Sequence, residues 1–150
     1  MITLLKRRRD WVERFEKAVR ERAETAFSWG THDCVMAAVH CIKAMTGEDV
    51  AAHLRGYKTL RGARYKIAKQ GGIQGLAEGV AKRYGAEEVK RMFAQRGDCV
   101  VVRGDVIDPE TGTDEVLGIV DLSGHRVLVA DEKGWREFPL TSVVRAWRVG

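Results

Sequence analysis

The stretch FSWGTHDCVMAAVHC, residues Phe27 to Cys41, sets a cysteine directly after an aspartate, where a polar turn gives way to an apolar run. Short polar side chains at such a boundary start helices, because their oxygens accept backbone N–H groups that have no partner in the first turn. Asp33 or Thr31 can serve here, so a helix opens at Cys34 and its thiol lies in the first turn. The helix runs to about Met45 and stops at Gly47, glycine being the common terminator. A thiol at that end sits by the positive pole of the helix dipole, which favours the thiolate and lowers the pKa. The same cysteine also belongs to an apolar stripe of Cys34, Ala37, Ala38, Cys41 and Met45, and free cysteines are among the most buried residues. Spacing leaves both readings open, nucleophile and core residue.

Upstream, Trp11, Phe15, Ala18, Val19 and Ala23 recur at helical spacing and predict an amphipathic helix from about Arg9 to Thr25. Downstream, Leu60 to Lys69 and Ile73 to Tyr84 read as two shorter helices separated by QGG. After AQRGD the period changes. The segments CVVV, VLGIV, RVLVA, WREF and VVRAWRV are short, β-branched and aromatic, with turn residues at LSGH and EKG between them. Helices followed by strands predict one α+β domain, with a helical half over about 1–96 and a small antiparallel sheet over about 97–150. GDVIDPETGTDE, Gly104 to Glu115, is the long polar loop. Trp29 and Gly30 shape the turn before the cysteine helix, Trp135 and Trp147 read as core or interface, and Asp98 as the cap of a turn after Gly97.

A chain of 150 residues, 45% hydrophobic and 31% charged, has the makings of a folded globular domain. Its first residues, MITLLKRRRD, place basic residues after a short apolar run, the reverse of a secretion signal. No stretch approaches the roughly 20 apolar residues of a membrane span. The expectation is a protein made and kept inside a cell, or inside a particle assembled there. Three cysteines without CxxC spacing predict neither a disulfide framework nor a metal site, and no cofactor is implied. The formal charge of +5 is spread among acidic residues except at Lys6 to Arg9, and no nucleic-acid-binding motif accompanies it, so direct nucleic-acid binding is not expected.

The pattern FxWGxxDC opening a helix, TG at its end, GGI, RGD before the first strand, LGIV, and a closing AWRV resembles the phage-tail branch of the NlpC-type cell-wall cysteine peptidases. The likeness runs from about Trp11 to Val149. It implies a papain-like fold, in which the cysteine-bearing helix packs on an antiparallel sheet. It also implies a place in the virion, among the tail-tip or baseplate proteins of a tailed phage. Active relatives cut peptide cross-links of peptidoglycan during entry.

Carried over residue by residue, Cys34 falls on the nucleophile position with Asp33 beside it as in the family. The catalytic histidine of the pattern HxGIY is replaced by Leu117, directly before Gly118, and the later polar orienting position falls near the apolar Val129. Of the four histidines, His32 lies in the loop entering the helix, His40 inside the helix off the cysteine's face, and His53 in a mid-chain polar loop. His125, in a hairpin turn of the sheet half, is the remaining candidate base. The resemblance therefore implies a structural tail-tip component whose catalytic site has decayed, with Cys34 vestigial and other tail proteins as partners. The alternatives are a live cysteine endopeptidase or amidase with Cys34 as nucleophile and a displaced histidine, and a small intracellular binding module unrelated to phage.

Overall fold

The computed structural model describes residues 3–26, 28, 33–54, 56–104 and 114–150. Helix α1, Trp11–Ala23, buries Phe15 and Ala18 and leaves its charged face to solvent. Helix α2, Cys34–Thr46, buries eight residues from Val35 to Met45 and carries one lysine, so it is apolar nearly all round and lies at the centre. Gly47 ends it in the left-handed conformation (φ 85°), its N–H donating to the Lys43 carbonyl at 2.7 Å. Helix α3, Leu60–Lys69, begins at Thr59, whose hydroxyl accepts the Gly62 N–H. Helix α4, Gly72–Tyr84, turns Ile73, Leu76, Ala77 and Ala81 inward.

Six strands follow: β1 (Glu88–Val89), β2 (Cys99–Arg103), β3 (Glu115–Val120), β4 (Arg126–Asp131), β5 (Gly134–Pro139) and β6 (Val143–Trp147). They form one sheet in the order β1-β6-β2-β3-β4-β5, and every pairing is antiparallel. The molecule is thus α+β, with β6 returning between β1 and β2. The sheet begins earlier than the change of period suggests. β1 is only two residues long, too short for an alternating pattern to register, and it forms because β6 supplies an edge to pair with.

Alternation along the strands divides the core. Val101, Leu117, Ile119, Leu128 and Trp147 join the helices in the larger cluster, with α2 lying over β3 and β4. Val100, Val102, Val120, Val127, Val129, Phe138 and Ala146 form a second, smaller cluster with Ala94. Both sets of strand residues are buried, which explains why CVVV and VLGIV read as continuous apolar runs. Trp147 is core, while Trp135 is half-buried and fixes α1 to the sheet by donating its indole N–H to the Val19 carbonyl at 2.8 Å.

Asp98 does more than close a turn, and the turn it closes, Gln95 to Asp98, contains Gly97 instead of following it. Its Oδ2 accepts the Gln95 N–H at 2.9 Å, and its two oxygens pair with Arg7 at 3.1 Å and Arg148 at 3.0 Å. Arg7 also donates to the carbonyls of Val149 and Arg96. The carboxylate is 0% exposed, so one buried anion ties the segment before α1 to the end of the chain. Among the described residues no helix is long and apolar enough to cross a membrane.

Candidate functional site at the start of helix α2

Asp33 is the N-cap of α2: its Oδ1 accepts the Met36 N–H at 2.9 Å. Its Oδ2 accepts the Tyr57 hydroxyl at 2.5 Å, and both residues are buried. Of the two capping residues open in the sequence, Asp33 caps and Thr31 lies outside the described residues. Tyr57 has no counterpart in the sequence reading. Only the need of a buried carboxylate for a second donor could have pointed to it, and nothing local says which residue supplies that donor.

Cys34 follows as the first residue of α2, half-buried and packed against both core clusters. Burial pushes its thiol from the ordinary 9.0 up to about 12, the adjacent Asp33 charge adds to the rise, and backbone hydrogen bonding from Leu117, Val35 and Cys34 itself offsets only part of it. This corrects the expectation of a lowered pKa at the helix end. The dipole contributes only about 0.3–1 kcal/mol in exposed settings. Desolvation and a neighbouring carboxylate outweigh the dipole.

Leu117, in β3, meets Cys34 through its backbone, which hydrogen-bonds the thiol. It is buried on the helix side of the sheet, opposite Val101. Val129 lies on the other side, in the smaller cluster, so it cannot flank Leu117 as an orienting residue would; the β4 residue on the helix side is Leu128. Gly118 is required where β3 passes Val127 and Val129, because a Cβ there would stand 2.6 Å from Val127 Cγ1 and 2.9 Å from Val129 Cγ2.

Neither His125 nor His40 is turned to the thiol. His125 is exposed in the turn after β3, its backbone N–H held by Ser123 Oγ at 3.1 Å. His40 turns toward α1, its Nε2 3.6 Å from Glu21 Oε2, and burial and Arg22 lower its pKa. His53 lies in the short 3-10 turn Ala52–Leu54. His32, Trp29 and Gly30 lie outside the described residues. Cys41 is core and Cys99 half-buried, and burial pushes both thiols to about 12. Among the described residues no group of three or more His, Cys, Asp or Glu could hold a metal ion. An apolar cavity of about 40 Å³ lies between α2, α4 and the sheet, lined by Val35, Val39, Leu76, Leu117 and Trp147 among others.

Residues 6–149 match the family described as Domain of unknown function (DUF6950). The chain belongs to the DUF6950 family. No curated protein and no solved structure matches it. The DUF6950 match takes in α2 and β3 whole, so the capped cysteine and the leucine that meets it both lie inside the family domain.

Proposed function

We propose that this DUF6950 chain is a structural component of a tailed-phage tail tip or baseplate, built on a peptidase-derived, papain-like fold that no longer cleaves peptides. The single observation that carries the loss of chemistry is a leucine, Leu117, at the β3 position whose backbone hydrogen-bonds the Cys34 thiol. A cysteine hydrolase transfers the thiol proton to a base and later returns it to the leaving amine. An aliphatic side chain does neither, and a thiol titrating at about 12 is almost wholly protonated near neutrality. Positioned acid–base catalysis is worth about 10²–10⁴-fold in rate, more than the end of a helix can restore. The tail-tip assignment is supported by the ordered motifs from Trp11 to Val149 and by a cysteine-bearing helix lying on an antiparallel sheet.

Two measurements test it. Purified protein, wild type against Cys34→Ala, is incubated with peptidoglycan, and no muropeptides are expected from either. Release that depends on Cys34 would install an active cell-wall hydrolase instead. The chain is also expected in purified particles; its absence from them would sink the structural role.

A further inference from the structure

The short 3-10 turn Arg91–Phe93 holds two large apolar side chains in solvent, Met92 at 51% and Phe93 at 65% exposure, and Leu4 stands out at 67%. Arg148 joins the two places. It lines a groove of about 200 Å³ together with Leu4, Tyr84 and Glu87, and its guanidinium donates to the Phe93 carbonyl at 3.3 Å. Arg91 in turn donates to the Val143 carbonyl at 3.3 Å, so the turn that displays Phe93 is fixed from both sides. The face is preformed, which reduces the ordering cost of binding.

Its charge is mostly positive, with Glu87 the carboxylate that lines the groove. Lys6, Arg8, Arg9, Lys90, Arg91 and Arg96 are exposed on the two segments that frame it, and neither segment, Leu4–Arg9 nor Lys90–Arg96, contains a carboxylate. Asp98 lies beneath, but it is buried and engaged by Arg7 and Arg148. Among the described residues, neither Lys6 nor Lys90 is paired with a carboxylate. Exposed apolar side chains rimmed by charge mostly of one sign mark an interaction surface.

We propose that this face docks an acidic protein segment carrying an apolar or aromatic anchor: the anchor packs on Phe93 and Leu4, and flanking carboxylates meet Lys6, Lys90 and Arg96. Glu87 in the groove repels any anion set against it, which favours a peptide, able to place a neutral or basic residue there, over an uninterrupted row of phosphates. The inference does not depend on the tail-tip reading, and its test uses the purified full chain alone.

The probe is a capped synthetic peptide of alternating glutamate with leucine or phenylalanine, titrated into isotopically labelled protein. The expected result is amide shifts centred on Leu4–Arg9 and Arg91–Arg96, with binding that weakens as salt is raised. Phe93→Ala and Lys90→Glu, both at exposed positions, are each expected to lower the affinity by about tenfold, with circular dichroism unchanged. Equal binding of the lysine-for-glutamate peptide would overturn the proposal, as would shifts centred elsewhere or affinity indifferent to Phe93→Ala. Duplex DNA or phosphatidylglycerol vesicles binding where the acidic peptide does not would also overturn it, assigning the face to nucleic acid or lipid.

Discussion

Tyr57 donates its hydroxyl hydrogen to Asp33 at 2.5 Å, while the other oxygen of the same carboxylate holds the Met36 N–H at 2.9 Å. One buried acid therefore both starts α2 and fastens to it the segment that leads into α3. The arrangement resembles a catalytic cluster in composition, with Asp, Cys and Tyr side by side, yet its bonds are those of a cap and a tie.

Tyr57→Phe is expected to lower stability by about 1.5–3 kcal/mol, the range for a hydrogen bond to a charged group. Asp33→Ala loses that bond and the cap together, the cap being worth about 1 kcal/mol, and is expected to cost more. Urea unfolding checks the order of the two. A neutral Tyr57→Phe would mean the tie contributes nothing.

The thiols yield a pH prediction. Cys34, Cys41 and Cys99 all rise from 9.0 to about 12 in the folded protein, chiefly through burial. A thiol whose pKa is higher folded than unfolded favours the fold fully below about 9, and that contribution is lost as pH climbs toward 12. Stability should fall across that window, and less so in Cys34→Ala. Iodoacetamide should label Cys34 slowly at pH 7 to 8, with a rate still rising above pH 10. A labelling midpoint near neutrality would show the thiol to be activated.

Asp98→Ala leaves Arg7 and Arg148 facing each other across an empty buried position, and both termini lose their common anchor. Breaking a buried ion pair from one side costs about 3–5 kcal/mol. Amide hydrogen exchange should quicken first at Arg7 and Val149. Exchange unchanged at those two sites would refute the anchoring role.

Leu117→His places an imidazole on the strand that meets Cys34. Burying a polar ring without a built partner is expected to destabilise by about 1–3 kcal/mol. The gain, if β3 meets the thiol as described, is faster alkylation of Cys34 at pH 7 than in the wild type. No change in rate would place the 117 side chain away from the sulfur.

The helices were legible because their signals are local. The stripe of α1, the cap at Asp33 and the glycine at position 47 act within one or two turns of backbone. The five longer strands were legible for the same reason, since β-branched runs and turn residues lie next to one another in the chain. Leu117 directly before Gly118 could likewise be read from order alone. What tertiary structure decided is everything that depends on distant neighbours. β1 exists because β6 returns beside it, and Val129 is turned from the site by the register of β3 with β4. Asp33 and Tyr57 meet across 24 residues, and Asp98 collects arginines from both ends of the chain. The state of Cys34 belongs to this second group. Its place at a helix start could be read from the sequence, but its pKa is set by the surrounding density of protein, because desolvation sums over residues that only folding brings together.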